Sequence, residues 1–567
     1  MEFKDMYNKW MGFDEETRKE LQNLDEAEIR ERFYKELEFG TGGLRGIIGA
    51  GTNRMNVYTV RKATQGLANY ILKKERSGSV AIAYDSRRFS DLFAKEAALV
   101  LNANGIKTYM YSELKPTPML SFAVRYLGAT AGIVITASHN PKQYNGYKVY
   151  WSDGGQVTEE NAEGILKEIN SIDYSDIKTI GFDRAVELGL FNYIDESVER
   201  EYVELVKGLT VNRDIVERVK DDLKVIFTPL HGTGNKPVRR VLGELGYKNV
   251  YVVKEQENPD PEFSTVKYPN PEEHEVFKRA IEMARELEAD LIIGTDPDCD
   301  RVGVVVKNKE GEFVVLTGNQ TGALLTHYIL ENLKETGKLP QNGVVIKTIV
   351  TTEMARRISE NYNVDIMDVL TGFKYIGEKI KEFEEQGNKD FIFGFEESYG
   401  YLAGDFVRDK DAVIASMLIC EMAGFYKLNG MSLYEGLVSL YEKYGYYKED
   451  LKSVTLEGIE GSLKINEIMD KLRNNSPTSI GNLKVVKVKD YLTSKEVDLL
   501  LGSEKIINLP VSNVIQIILE DETVITARPS GTEPKIKFYF AVRDNDEASA
   551  FEKIKMVKEK FILQIGL

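Results

Sequence analysis

Three aspartates stand at alternating positions in the segment "GTDPDCDR", directly after the apolar run "DLII". Carboxylates that converge on one point repel one another, and a hard cation such as Mg²⁺ or Ca²⁺ normally resolves the conflict. A calcium EF-hand would require glycine and glutamate at positions where this chain has Arg301 and Lys307. The segment therefore predicts a cation site formed by Asp296, Asp298 and Asp300, with a solvated acidic turn as the alternative.

A serine and a histidine lie side by side in the turn-rich segment "TASHNPKQYNGYK", which follows the apolar run "AGIVI" and ends at Lys148. A Ser-His-Asp hydrolase usually carries a G-x-S-x-G elbow, and a histidine adjacent in sequence seldom faces its neighbour's hydroxyl. The sequence around Ser138 and His139 therefore argues against a Ser-His-Asp hydrolase. On these residues alone, Ser138 is a nucleophile, a phosphate carrier or a turn residue.

The segment "ARPSGTEPK" combines an arginine, two hydroxyls and a glycine between two apolar strands. Arginine offers a planar fork to phosphate, hydroxyls add donors, and glycine lets backbone amides approach an anion closely. The segment predicts a phosphate cradle, although Ser-Gly-Thr is also common turn chemistry. Its candidate residues are Arg528, Ser530, Gly531 and Thr532.

Two further loops are ambiguous when each is taken alone. The segment "GFEESYG" places Glu396 and Ser398 after the strand "DFIF", where paired acids can cap a helix or accept hydrogen bonds from sugar hydroxyls. The segment "TGFKYIG" contributes Thr371, Gly372 and Lys374. Both remain candidates for binding a polar ligand.

A glycine-rich turn near the start, "FGTGGLRG", carries Arg45. The chain has neither a G-x-x-x-x-G-K-[ST] P-loop nor a G-x-G-x-x-G fingerprint, so the usual kinds of nucleotide binding lose support. His231, in "PLHGTG", is more typical of a structural hydrogen-bonding residue than of a catalytic one.

The elements that must position these loops follow a regular order. Short β-branched runs that end in polar or glycine-rich loops alternate with helical patterns through the first four-fifths of the chain, which predicts an α/β fold. Ligands of such sheets gather at the carboxyl ends of strands, where these loops lie. The tail, with "NVIQIILEDETVITARPSG", "KIKFYFAVRD" and "EASAFEKIKMVKEKF", predicts a smaller α+β domain with antiparallel strands. We expect four domains, at 1–205, 206–318, 319–450 and 451–567.

Composition limits the kinds of binding partner and the cellular compartment that we expect for this protein. The 567 residues carry a formal charge of -16, which argues against a general nucleic-acid or anionic-lipid surface. Two cysteines, Cys299 and Cys420, cannot form a disulfide framework, and the acidic, amphipathic start does not resemble a signal peptide. The apolar run "AVIASMLICEMAGF" falls short of the ~20 residues that span a bilayer. We expect a cytoplasmic protein that binds neither nucleic acid nor membrane.

Four segments in this order, "TASHNP", "GTDPDCDR", "GFEESYG" and "RPSGTEPK", resemble the α-D-phosphohexomutases, the phosphoglucomutase and phosphomannomutase superfamily. The resemblance covers nearly the whole chain. It implies three related mixed-sheet α/β domains and a C-terminal α+β domain around a central active-site cleft. It also implies that the fourth domain closes on the substrate phosphate.

The resemblance assigns the chemistry to the serine and the aspartates. Ser138 is then the phosphoserine that donates its phosphoryl group to a sugar phosphate and takes another back. One Mg²⁺ per active site is held by Asp296, Asp298, Asp300 and a phosphate oxygen on Ser138. Glucose 1,6-bisphosphate is the implied intermediate and activator. Lys148 matches a family lysine proposed in acid–base work, a role that requires a lowered pKa.

The resemblance also implies roles in binding. Arg45 and His139 match positions near the reacting phosphate, and Arg301 lies beside it. The remaining implied substrate-binding residues are those of the two ambiguous loops and of the predicted phosphate cradle: Thr371, Gly372, Lys374, Glu396, Ser398, Arg528, Ser530, Gly531 and Thr532.

Several substrates and one non-enzymatic function remain open. "GFEESYG" looks more like the glucose-type loop than the phosphomannomutase version, although Phe395 departs from the shorter pattern. We therefore expect interconversion of glucose 1-phosphate and glucose 6-phosphate, by an intramolecular phosphotransferase of the isomerase class. The alternatives are a phosphomannomutase, a phosphopentomutase, a glucose 1,6-bisphosphate synthase, a phosphatase and a sugar-phosphate binding protein without turnover. Both a monomer and a dimer are compatible with the sequence.

Overall fold

Four sheets with flanking helices follow one another along the chain. The structure is a computed structural model, and it describes residues 3–40, 42–456, 458–530 and 535–567. The central strands of the first two sheets, "AGIVI" and "LIIGT", are buried at every position. Such continuous apolar runs are typical of strands covered on both faces by helices.

The first sheet has six strands in the order β1-β5-β4-β2-β3-β6. Strands β4, β2, β3 and β6 are parallel, whereas β5 pairs antiparallel with both β4 and the edge strand β1. Because β5 lies between β4 and β1, Lys148 stands opposite Val134 and Gly43. The elements are α1 (Phe3–Trp10), α2 (Glu15–Gln22), α3 (Glu26–Phe33), β1 (Gly43–Ile47), α4 (Val57–Lys74), β2 (Ser79–Tyr84), α5 (Ser90–Ala103), β3 (Lys107–Met110), α6 (Thr117–Tyr126), β4 (Ala131–Ile135), β5 (Tyr144–Trp151), α7 (Glu159–Asn170), α8 (Phe182–Glu187), β6 (Phe191–Tyr193) and α9 (Glu196–Gly208).

The second sheet, of five strands, has the order β11-β10-β9-β7-β8, again with a parallel part and an antiparallel edge. Strand β9 ends where the aspartate loop begins. The elements are α10 (Arg213–Val219), β7 (Val225–Thr228), α11 (Asn235–Glu244), β8 (Val250–Val252), α12 (Lys254–Glu257), α13 (Lys278–Leu287), β9 (Leu291–Thr295), β10 (Val302–Lys307) and β11 (Phe313–Leu316).

The third sheet, of four strands, repeats this plan in the order β13-β12-β14-β15, with only β15 antiparallel. The loops that follow β13 and β14 carry the two ambiguous segments of the sequence. The elements are α14 (Gly318–Glu335), β12 (Gly343–Thr348), α15 (Met354–Asn361), β13 (Asp365–Val369), α16 (Phe373–Gln386), β14 (Asp390–Glu396), β15 (Gly400–Ala403), α17 (Ala412–Leu428) and α18 (Leu433–Tyr444).

The fourth sheet is antiparallel throughout its main path, β16-β23-β22-β21-β18-β19-β20, and β17 pairs with β18. One face packs on α19 and α20, which confirms the predicted α+β tail. The elements are β16 (Tyr446–Thr455), α19 (Gly458–Asn474), β17 (Ser479–Ile480), β18 (Leu483–Asp490), β19 (Lys495–Asp498), β20 (Ser503–Ile506), β21 (Ile515–Leu519), β22 (Val524–Pro529), β23 (Lys535–Asp544) and α20 (Glu547–Ile565).

The fold class predicted from the sequence is confirmed: three units are mixed α/β sheets and the fourth is sheet-rich. The boundaries near 205, 318 and 450 stay predictions. All three fall inside regular elements, since residue 205 lies in α9, residue 318 is the first residue of α14, and residue 450 lies in β16.

Among the described residues, no single helix is both long enough and apolar enough to cross a membrane. The pair α17 and α18 meets the criteria only when taken together, and the two helices are bent by 79° relative to each other.

Candidate active site

Ser138 lies in the tight turn after β4, and its hydroxyl is held between a carboxylate and a guanidinium. Its Oγ donates to Asp296 Oδ2 at 2.7 Å and accepts from Arg301 Nη1 at 2.8 Å. The residue has a φ of 51°, in the left-handed region, and its N–H donates to Thr136 Oγ1 at 2.8 Å. Such backbone strain in a non-glycine residue clusters at functional sites. The turn therefore points the hydroxyl at the aspartate loop of the second sheet.

The three aspartates predicted to bind a cation come together directly after β9. One oxygen atom of each lies within 4.8 Å of the others, and Asp296, Asp298 and Asp300 are all buried. Burial, together with the charges of Asp298 and Asp300, raises the pKa of Asp296 well above its usual range. The cause is that a dry carboxylate beside two others resists ionisation. The cluster therefore favours a bound positive charge.

Asp298 shows that these residues fit a divalent cation. Its Oδ2 accepts hydrogen bonds from Lys148 Nζ at 2.9 Å and Thr117 Oγ1 at 3.0 Å. Its Oδ1 is buried and has no hydrogen-bond partner among the residues that the structure describes. A buried carboxylate oxygen without a partner is costly, and a hard cation with oxygen ligands satisfies it. The three aspartates therefore fit Mg²⁺ well.

Two lysines contact the same carboxylates. Lys148 Nζ lies 2.9 Å from Asp298 Oδ2 and 3.4 Å from Asp300 Oδ2, and Lys410 Nζ lies 3.2 Å from Asp300 Oδ2. Burial favours the neutral amine, but Asp298 and Asp300 outweigh it and raise the pKa of Lys148. The expectation of a lowered pKa is therefore wrong for this arrangement. The two carboxylates therefore hold Lys148 as an ammonium group.

Arg301 connects the turn that carries Ser138 with the "GFEESYG" segment. Its Nη1 contacts His139 Nδ1 at 3.0 Å, and its Nε donates to Ser398 O at 3.0 Å. Burial, followed by Arg301 and Arg45, lowers the pKa of His139 well below its usual range. The imidazole is therefore neutral. Although sequence neighbours seldom face each other, Ser138 Oγ lies 3.3 Å from His139 Nδ1.

The carboxyl end of β14 brings a buried carboxylate to the site. Glu396 is 4% exposed, and burial, followed by the repulsion of Glu397, raises its pKa to about 7. Its Oε1 accepts the N–H of Gly372 at 3.0 Å. Gly372 has a φ of 125°, which a residue with a Cβ rarely adopts, and the glycine thus permits this contact. The Oγ1 of Thr371 is buried without a partner among the described residues.

Lys374, a predicted substrate-binding residue, is engaged elsewhere. Its Nζ donates to Glu159 Oε1 at 2.8 Å, and the hydroxyl of Tyr375 donates to the same oxygen at 2.7 Å. Lys374 does not line the cavity described below. The structure therefore places this lysine at the border between α7 and α16, behind the cavity wall.

The fourth sheet contributes two adjacent cations. Arg528 on β22 pairs in register with Lys537 on β23, and both line the cavity. Burial, followed by Arg528 and Lys535, lowers the pKa of Lys537. Within the described ranges Lys537 makes no direct hydrogen bond or ion pair, and the charges of Glu397 and Glu272 only partly offset the effects that lower its pKa. The N–H of Ser530 donates to Lys535 O at 2.7 Å. The predicted residues Gly531 and Thr532 lie outside the described residues.

One cavity of about 1150 Å³ joins these groups. All four sheet units contribute to its wall. A cavity of this size accommodates a sugar phosphate with room to turn. The predicted site residues that line it are Arg45, Ser138, His139, Lys148, Asp300, Arg301, Thr371, Gly372, Glu396, Ser398 and Arg528.

Sequence reasoning missed Lys410 and Lys537. Lys410 belongs to "VRDKDA", a charged segment between two apolar runs, and its burial beside Asp300 was the missing information. Lys537 lies in the strand "KIKFYF", whose alternation of lysine and apolar residues marks one polar face. That alternation could have identified Lys537 as a residue on the same face as Arg528.

These features define a class of α/β proteins in which four units close around one central cleft. Family models for phosphoglucomutase/phosphomannomutase alpha/beta/alpha domains I, II and III match residues 36–176, 200–311 and 317–444. Together they cover more than half of the chain. This chain belongs to the phosphoglucomutase/phosphomannomutase family.

Individual relatives agree with this assignment. A phosphoglucomutase of Staphylococcus haemolyticus is 43% identical over 518 residues, covering 91% of this chain and 92% of the relative. A phosphoglucomutase of Staphylococcus aureus strain USA300 is 42% identical over 521 residues, with 91% and 92% covered. Among solved structures, the open form of pp63/parafusin from Paramecium has a TM-score of 0.69 at 17% identity, covering 94% of this chain and 96% of that one.

Proposed function

We propose that this protein is a phosphoglucomutase, which interconverts glucose 1-phosphate and glucose 6-phosphate through a phosphoserine at Ser138. The observation that carries the proposal is the position of the Ser138 hydroxyl, 2.7 Å from Asp296 and 2.8 Å from Arg301. Phosphoryl transfer depends on positioning and on neutralising charge around the moving group. Its relatives at about 42% identity over 91% of the chain are named phosphoglucomutase, which supports the choice of glucose.

In the proposed first step, phosphorylated Ser138 gives its phosphoryl group to the free hydroxyl of the bound sugar monophosphate. The Oγ–P bond breaks, a bond from phosphorus to the sugar oxygen forms, and a proton passes from the sugar hydroxyl to Ser138 Oγ, which becomes a hydroxyl again. Arg301 neutralises charge on the phosphoryl group, and His139 accepts the hydrogen bond that holds Arg301 in place. Lys148, an ammonium group beside Asp298 and Asp300, is proposed to relay this proton: it gives one proton to the leaving Oγ and takes the one that the sugar hydroxyl loses.

The carboxylates of Asp296, Asp298 and Asp300 would hold Mg²⁺ next to the Ser138 hydroxyl. A bound Mg²⁺ supplies positive charge that stabilises the transferring phosphoryl group. The choice of Mg²⁺ and the glucose 1,6-bisphosphate intermediate are parts of this proposal.

The bisphosphate must turn over in the cavity before its other phosphate meets Ser138. Arg528 and Lys537 are proposed to hold the phosphate that is not reacting, because both line the cavity and carry adjacent positive charges. Glu396 and Ser398 are proposed to accept sugar hydroxyls in both orientations. Water must be kept out during this turn, because it would otherwise hydrolyse the phosphoserine.

The test of the function is a mutase assay with Mg²⁺ and a trace of glucose 1,6-bisphosphate. We expect kcat/KM for glucose 1-phosphate to exceed that for mannose 1-phosphate and ribose 1-phosphate. A preference for ribose or mannose would replace glucose as the substrate. Net phosphate release would indicate a phosphatase, and binding without turnover would indicate a binding protein.

Replacing Lys537 with methionine is expected to raise KM for glucose 1-phosphate by roughly 10- to 100-fold, because a charge-assisted hydrogen bond to phosphate is lost. The change removes a like charge beside Arg528, so the fold should not lose stability. Steady-state kinetics measure the effect. Lys452→Met, on the neighbouring strand β16 and exposed, is the matched control. A KM within twofold of the wild-type value would contradict the role of Lys537.

The cytoplasmic location predicted from the sequence stays a prediction, and so does the choice between monomer and dimer.

A further inference from the structure

Glu159 binds two side chains of the third unit although it belongs to the first. It is the first residue of α7, and its Oε1 accepts hydrogen bonds from Lys374 Nζ at 2.8 Å and from the Tyr375 hydroxyl at 2.7 Å. Lys374 and Tyr375 lie in the first turn of α16, next to the cavity-lining residues Gly372 and Phe373. Glu159 therefore holds the first lysine of α16, which is also the one nearest in sequence to these cavity-lining residues.

Tyr375 brings this contact to the border of the fourth unit. Tyr375 packs against an apolar cluster of the third and fourth units that includes Leu370 and Tyr539. Arg528 also acts on this residue, since its charge opposes the rise in the pKa of Tyr375. The first, third and fourth units thus meet around one carboxylate, close to the pair of cations that face the cavity.

The two partners of the ion pair differ in exposure. The Glu159 side chain is 52% exposed, whereas that of Lys374 is 8% exposed. An exposed carboxylate loses little when it moves into water, because a half-exposed ion pair is weak. A shielded ammonium group needs another anion when its partner leaves.

Acidic neighbours on α16 also weaken the contact between Glu159 and Lys374. Glu378 lies one turn after Lys374 on α16, and burial, followed by Glu382 and Glu159, raises its pKa. Part of this rise is repulsion between Glu378 and the carboxylates of Glu382 and Glu159, whereas the hydrogen bonds from Lys374 and Tyr375 outweigh burial and lower the pKa of Glu159 itself. The contact is therefore one that an arriving dianion can break.

We propose that Glu159 is a positioning residue that controls access of the sugar phosphate to Lys374. While Glu159 binds Lys374 and Tyr375, the lysine stays behind the cavity wall. A phosphate dianion that binds beside Arg528 displaces the carboxylate, and Lys374 turns to the phosphate. This inference rests on the proposed function, because it requires a phosphorylated sugar in the cavity.

Replacing Glu159 with glutamine tests the inference. The amide keeps the shape and one acceptor but loses the charge, so Lys374 is released more readily. We expect KM for glucose 1-phosphate and the calorimetric Kd for glucose 6-phosphate each to fall by roughly 3- to 10-fold, while kcat changes less than twofold. Glu160→Gln is the matched control, because Glu160 lies on the same turn but pairs with Lys74 within the first unit. It should leave both constants unchanged.

A double variant separates this role from a general structural one. In Glu159→Gln combined with Lys374→Gln, the gain in affinity should disappear, since the residue that Glu159 restrains is no longer a cation. Equal or weaker binding in the single variant Glu159→Gln would overturn the inference, and so would a gain that persists in the double variant. Wild-type protein that binds no glucose 6-phosphate would overturn the proposed function together with this inference. Wild-type binding and turnover with an unchanged Glu159→Gln would overturn this inference alone.

Discussion

Replacing Ser138 with alanine is expected to lower kcat for glucose 1-phosphate by at least about 10⁴-fold, because the atom that carries the phosphoryl group is removed. The hydroxyl is also the hydrogen-bond link between Asp296 and Arg301, at 2.7 Å and 2.8 Å. The two charged groups remain 3.7 Å apart at their nearest atoms. The loss should therefore fall on chemistry much more than on folding.

Intact mass spectrometry measures the same change directly. After incubation with glucose 1,6-bisphosphate, a phosphoserine should add about 80 Da to the wild-type mass, and Ser138→Ala should gain nothing. Ser416→Ala is the matched control, because Ser416 is a buried serine of α17 whose hydroxyl has no hydrogen-bond partner among the described residues. A phosphorylated Ser138→Ala variant, or one that retains full activity, would rule out Ser138 as the phosphoryl carrier.

The loops at strand ends were predictable from sequence because their chemistry is local. The aspartate triplet directly follows the buried strand β9, and the spacing of Asp296, Asp298 and Asp300 already brings their carboxylates close. Likewise, the arginine of the "ARPSG" segment was expected in the loop between two strands, and it lies near the end of β22, next to that loop. In both places neighbouring residues alone determine the geometry, so short segments were sufficient.

Contacts between units were not predictable, because they depend on how distant elements pack. Lys374 and Glu159 are 215 positions apart, and neither segment indicates that they meet. The pKa of Lys148 is another example, since it is set by Asp298 and Asp300, which lie about 150 positions away. Burial of Lys148 in β5 would by itself lower its pKa, and the carboxylates of another unit reverse the direction.

Replacing Asp296 with asparagine is expected to lower kcat by roughly 10³-fold, because the bound cation supplies several kcal/mol of charge stabilisation to the transition state. The amide oxygen can still accept the N–H groups of Asp300 and Arg301, which Asp296 Oδ1 accepts at 3.1 Å and 2.9 Å. The loop should therefore keep its backbone conformation. The fall in kcat then measures the effect of removing one carboxylate from the cation site.

Thermal unfolding with and without Mg²⁺ separates the loss of metal binding from any loss of folding. A cation that binds only the folded state raises the midpoint of wild-type unfolding, and this rise should be absent in Asp296→Asn. Without Mg²⁺, the variant should be at least as stable as the wild type, because one of three mutually repelling carboxylates is neutral. Glu421→Gln is the control: it removes another buried carboxylate, which accepts the N–H groups of Val211 and Asn212, and its response to Mg²⁺ should equal that of the wild type. An undiminished Mg²⁺ response in Asp296→Asn would exclude this aspartate as a ligand, since an amide oxygen is a much weaker ligand than a carboxylate.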